Sequence, residues 1–322
     1  MTPDPTLSAL SDQLFSISVA LYSVAVLAFC AQLAFGRRTA SAPELVAAGG
    51  APLPAGAAST EAVPEPRSSR RWGQVGVLVA ALGALTHAGV LIARGMAVGR
   101  LPWGNMYEFA TAMVLVATVS YLVLAVRMPA VRHLGAFVLG PAVLALVLIG
   151  LFLYTDAGPL VAALRSYWLA VHVTAAIIGF GIFFVSSIAS IAYLVRTRFD
   201  ARLAAGEART DSTIARLPSA ATLDRVAHRT AVFGFPIWTF AVIAGAIWAE
   251  SAWGRFWGWD PKETWAFIAW VVYAAYLHAR TTAGWRGRPA AWVNVTGLVV
   301  MVFNLLYVNM VSTGLHSYAG LK

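Results

Sequence analysis

Apolar runs of about 20 residues recur along this chain from the N-terminus to the C-terminus, and no other feature limits its fold as strongly. A helix rises about 1.5 Å per residue, so each run can cross a hydrocarbon core ~30 Å thick. Within lipid the backbone must satisfy its own N–H and C=O groups, and a helix does this within one segment. Charged residues make up 11% of the 322, far below the ~25% of a soluble domain. Two soluble domains of ordinary size are therefore excluded. Cys30 is the single cysteine and lies in an apolar run, which rules out an internal structural disulfide, a CxxC pair and a Cys-ligated metal.

The runs predict an all-α, polytopic transmembrane bundle of about eight spans: 14–35, 73–93, 105–126, 133–153, 167–195, 231–250, 262–280 and 290–311. The first is too long for a cleaved signal peptide and lacks a basic n-region. Seventeen of the 23 basic residues fall in the loops 36–72, 127–132, 196–230 and 280–289, on one side of the predicted membrane. The positive-inside rule makes that side cytoplasmic and puts both termini outside. The net charge of +9 is thus a topology signal, and no nucleic-acid partner is expected. Residues 1–36 form an N-terminal span, and 37–72 read as a cytoplasmic disordered linker, rich in Ala, Pro and Gly without a hydrophobic period. Residues 73–322 form the main membrane domain. Within the basic loop, 200–229 mix Arg with aliphatic residues and suit a helix lying on the anionic inner leaflet.

Seven of the twelve tryptophans lie between 238 and 270, four of them in WGRFWGWDPKETW at 253–265. An aromatic belt would explain one or two rings at each helix end. Here Trp253, Phe256, Trp257, Trp259 and Trp265 crowd one external loop, 251–265, with Gly254 and Gly258 allowing close backbone approach. That density suits a platform for a large, flat, apolar ligand. Asp260, Pro261 and Glu263 read as N-cap, first helical residue and the third member of a capping box, so the seventh span starts abruptly and fixes the loop.

The six histidines sort by depth. His172 lies near the outer start of the fifth span, and His316 lies just past the eighth, in GLHSY. Each alone is equally an ordinary interfacial histidine. Together, on the face of the Trp loop, they can supply two axial nitrogens to a haem iron. His278 lies roughly 27 Å deeper than Asp260, near the inner boundary. His87 sits in the outer half of span two, too far from His278 in depth to share one iron with it. His133 and His228 mark the cytoplasmic edge. In LPWGNMYEF at 101–109, Glu108 is a carboxylate just inside a span, and Arg94 or Arg100 is its expected partner.

WGRFWGWDPKETWAFIAW resembles the WWD signature of membrane proteins that handle haem during cytochrome c maturation. Among these the chain is similar to the CcsA/ResC family, a component of the system II haem lyase, with PWGNMYEF (102–109) and GLHSY (314–318) as supporting matches over residues 73–320. The resemblance implies that haem b is presented outside the cytoplasmic membrane for thioether attachment to the CxxCH segment of an apocytochrome c. It implies that His172 and His316 bind the iron, that Trp253, Trp257, Trp259 and Trp265 bind the haem, and that the two histidines, Trp253, Trp257, Trp259 and Asp260 serve attachment. It assigns His278 to a second haem site on the route from the cytoplasm. Implied partners are a CcsB/ResB-type membrane subunit, which supplies the other ligand to that second site, and a thioredoxin-like thiol reductant. The competing readings are a haem carrier or exporter that does not forge the bond, a dihaem electron-transfer protein, and a small-solute transporter. The last two expect His pairs at matching depth or inverted repeats, and the sequence has neither.

Overall fold

The computed structural model describes residues 3–35, 66–159, 164–209 and 212–316, and among these it is helical without strands. Eight long helices follow in order: α1 Pro5–Ala34, α2 Arg67–Val98, α3 Met106–Arg127, α4 Gly135–Phe152, α5 Tyr167–Ala204, α6 Ala220–Trp253, α7 Pro261–Thr281 and α8 Arg288–Met310. The expected linker lies mostly outside the described residues, and its last part, from Arg67, is already α2.

Local chemistry sets the ends. The Asp4 carboxylate accepts the Thr6 and Leu7 amides, the Asn105 side chain accepts the Glu108 amide, and Ser166 and Ser219 cap α5 and α6 in the same way. Gly99 and Gly254 close α2 and α6 in the left-handed conformation, at φ 62° and 70°. The helices α5 and α6, 38 and 34 residues long, exceed a bilayer core, and they absorb much of the Arg-bearing 200–229 segment that reads as a surface helix. Arg196 braces that end by donating to the Leu217 carbonyl and to Asp200 (2.8 Å).

Seven of the eight helices are long and apolar enough to cross a membrane; α7 is not, because Lys262, Glu263, Thr264, His278 and Arg280 dilute its apolar content. Its 21 residues still span about 31 Å, and it packs between α6 and α8.

Packing relies on small residues where helices approach closely. A Cβ on Gly83 would lie 2.7 Å from the Tyr22 ring, so α1 and α2 could not keep their separation with alanine there. In the core, the Asn294 side chain of α8 donates to Ser186 Oγ (3.0 Å) and Ser190 Oγ (2.8 Å) of α5. At the other end of α5, Glu108 is fully buried and pairs with both expected arginines, Arg94 Nε at 3.0 Å and Arg100 Nη1 at 2.8 Å. Glu108 also accepts the Gly104 amide at 2.7 Å, which pins the turn 100–105 beside the start of α5.

Candidate functional site

The start of α7 organises the site. Asp260 caps the helix through the Lys262 amide (3.0 Å), while the Glu263 carboxylate reaches back to the amides of Asp260 (3.1 Å) and Gly258 (2.9 Å). Arg255 closes on Glu263 at 3.0 Å. Three donors on one carboxylate fold the loop before α7 tightly enough to hold Trp259 at φ 58°, a backbone region that a bulky residue rarely adopts.

Asp260 has a second role that the capping pattern does not reveal. Its Oδ2 accepts the Leu315 amide at 2.7 Å, and its Oδ1 accepts the His316 Nδ1–H at 2.7 Å. The tail after α8 is thereby tied to the start of α7. Burial alone would raise the Asp260 carboxyl, but the bonds from His316, Leu315 and Lys262 outweigh it and hold it at about 2. Burial likewise lowers the His316 imidazole, against the pull of Asp260. The pair at neutral pH is thus a neutral imidazole donating Nδ1–H to a carboxylate, which leaves the lone pair on Nε2. A carboxylate behind a histidine is the usual arrangement for orienting a metal ligand and raising its basicity.

His172 is oriented by a different device with the same result. Its Nδ1 lies 2.8 Å from the Ala241 carbonyl, which can only accept, so Nδ1 carries the proton and Nε2 the lone pair. The ring lies flat beside Trp248, with centroids 5.9 Å apart and planes 8° from parallel. Gly245 permits this: a Cβ there would stand 2.7 Å from the imidazole.

Both histidines line one cavity of about 150 Å³, with Trp103, Trp238, Trp248 and Lys262, and an adjoining lobe of about 50 Å³ that adds Trp253 and Trp257. Trp248, almost fully buried, packs against both imidazoles, 5.9 Å from His172 and 5.7 Å from His316. Two polar atoms in this wall, Trp103 Nε1 and Asn304 Oδ1, are buried without a partner, as expected of a pocket that receives a ligand with polar groups. A larger apolar space of about 670 Å³ between α3, α4, α5 and α8 shares Met106, Phe180 and Leu305 with the cavity.

The structure distributes the expected site residues unevenly. His172, His316, Asp260 and Trp253 come together, with Trp253 4.9 Å from His316. Trp257 walls the lobe. Trp259 is 65% exposed and packs edge-on against Trp257 and Phe267. Trp265 turns away to pack on Phe303 of α8 at 4.4 Å. His278 lies exposed in the last turn of α7, at the opposite end of the bundle. His87 is fully buried against Tyr22 between α1 and α2. Ser317 and Tyr318 of GLHSY lie outside the described residues. Sequence reasoning assigned no role to Trp238, Trp248, Gly245 or Lys262. The first two belong to the tryptophan cluster, but nothing in a linear pattern singles out rings one helix away from the loop.

The family model for cytochrome c assembly proteins matches residues 103–316. The cytochrome c biogenesis protein CcsA of Synechococcus sp. strain CC9605 is 37% identical over 271 residues, covering 78% of this chain and 88% of that protein. The protein of the same name from Synechococcus elongatus is also 37% identical, over 284 residues, covering 76% and 87%. Among solved structures, the cytochrome c heme lyase CcmF superposes with a TM-score of 0.58 at 16% identity, a likeness of fold alone. The match covers 94% of this chain, which spans half the length of that one.

Proposed function

This chain belongs to the cytochrome c assembly protein family and is a multi-pass membrane protein, and from that premise we propose that it holds haem for attachment to apocytochrome c at the cavity between His172 and His316. One observation carries the reading. Two imidazoles from distant parts of the chain line one cavity, each with Nδ1 committed to a fixed acceptor and its lone pair on Nε2. That is the preparation needed for two axial nitrogens on one iron.

Haem is the substrate in this reading. The cavity is smaller than the ~300 Å³ or more of typical small-molecule pockets, so the macrocycle enters by its edge and the tail carrying His316 shifts to admit it. Trp248 and Trp253 supply apolar ring faces, and Asp260 keeps His316 in the ligating tautomer. Apocytochrome brings two cysteines and a histidine. Each thiol adds across one vinyl group, sulfur to one carbon and hydrogen to the other, with no net oxidation, and the substrate's own histidine displaces one of the two protein imidazoles. The chain contributes orientation, which can remove several kcal/mol from such a barrier. Trp257 walls the cavity lobe beside the haem, and Trp259 is the exposed ring of the loop.

The site lies at the bundle end opposite the Arg-rich loops, which by the positive-inside rule supports an external location for it. His278, exposed at the other end, is suited to a haem site completed by a CcsB/ResB-type subunit. The family resemblance implies a thioredoxin-like partner that keeps the thiols reduced, a role the single Cys30 cannot fill as a dithiol. The test is a reduced visible spectrum of the chain purified with its partner. The expected result is a b-type spectrum that is lost or shifted in the His172→Ala/His316→Ala variant, which also yields no holocytochrome c. An unchanged spectrum and normal maturation in that variant would overturn the assignment.

A further inference from the structure

We propose that Lys262 and the indole N–H of Trp103 form a carboxylate subsite in the same cavity, and that it takes a propionate side chain of the haem. This rests on the haem reading above and gives the cavity an orientation that the two histidines alone do not.

Lys262 is the second residue of α7, and its side chain lines both lobes of the cavity together with His172 and His316. An ammonium has three donors, yet the bond it makes here is a long one of 3.4 Å to the Asn304 carbonyl. Among the described residues it forms no ion pair within 4 Å. The neighbouring carboxylates are committed elsewhere: Asp260 to His316 and to the amides of Leu315 and Lys262, and Glu263 to Arg255 and two loop amides. A cation drawn out of water without an ion-pair partner in contact is costly, and a bound anion lowers that cost.

Trp103 belongs to the PWGN turn that Glu108, Arg94 and Arg100 pin in place, and it lines the wall of this cavity. Its Nε1–H is buried without an acceptor. Two donors left wanting around one cavity, one of them charged, call for a ligand oxygen bearing negative charge. The propionates are the only anionic substituents of haem, and they lie on the half of the macrocycle opposite the vinyl groups. Seating one beside Lys262 therefore turns the vinyl edge away from α7.

The test compares iron protoporphyrin IX with its dimethyl ester, in which both carboxylates are masked, by visible titration of the full chain. The free acid should bind about ten-fold or more tightly than the ester. In Lys262→Met that preference should vanish while ester affinity stays the same, and Lys262→Arg should retain it. Trp103→Phe should narrow it. Equal affinity of the native protein for acid and ester, or a preference that survives Lys262→Met, overturns the subsite and leaves the haem site standing. Binding of neither porphyrin through His172 and His316 overturns the haem reading and the subsite with it.

Discussion

The Asp260 carboxylate accepts the Nδ1–H of His316 at 2.7 Å, joining the first turn of α7 to a tail 56 residues further along the chain. One side chain thus caps a helix, docks the tail and fixes the tautomer of a candidate iron ligand. A Cβ on Gly314 would stand 2.5 Å from Asp260 Oδ2, so the tail fits against this carboxylate through a residue without a side chain.

The docked tail should be sensitive to acid. Both groups have lowered pKa values in the fold: His316 below its ordinary 6.5, and Asp260 from 3.8 to about 2. A lowered value means the unfolded or undocked state binds protons first, so docking is at full strength above pH 6.5 and weakens as pH falls. His316 weakens first, and Asp260 follows between pH 3.8 and about 2. Hydrogen exchange at the Leu315 amide, corrected for its intrinsic pH dependence, should report this loss of protection. Asp260→Asn should remove most of the protection already at pH 7, and full protection in that variant would contradict the tether.

Gly245→Ala should displace His172 without unfolding the bundle, because the added methyl meets the imidazole at 2.7 Å. Overpacking of this kind costs about 1–3 kcal/mol. The expected outcome is a modest fall in thermal stability in detergent and a large loss of the spectrum that depends on His172. An unaltered spectrum would mean that the close contact does not set the ring's position.

Glu108→Ala should be among the most damaging single changes away from the cavity. It leaves the Arg94 guanidinium buried without its carboxylate and frees Arg100 and the Gly104 amide. Breaking a buried pair in this way costs about 3 kcal/mol or more. Unfolding in a denaturant series in detergent should show it, together with weaker haem binding, because the turn that carries Trp103 loses its anchor.

His278→Ala should lower the amount of haem that co-purifies with the chain and its partner, while haem added from outside still binds through His172 and His316. The two places lie at opposite ends of α7, on the order of 27 Å apart along the helix. Haem content equal to that of the unaltered protein would remove His278 from the route.

Much of the bundle was legible in the sequence because its causes are local. A run of about 20 apolar residues in lipid satisfies its backbone as a helix within its own segment. The capping box at Asp260 and Glu263 and the pairing of Glu108 with Arg94 and Arg100 were readable for the same reason. Tertiary structure alone decided which rings meet. A helical period tells which residues share a face but not which face of another helix will cover them. Trp248 therefore contacts both imidazoles while Trp265, in the middle of the motif, packs on Phe303. The meeting of His172 with His316 depends on the α5–α6 crossing that Gly245 permits and on the fold-back of the tail onto Asp260, and both are contacts between distant parts of the chain.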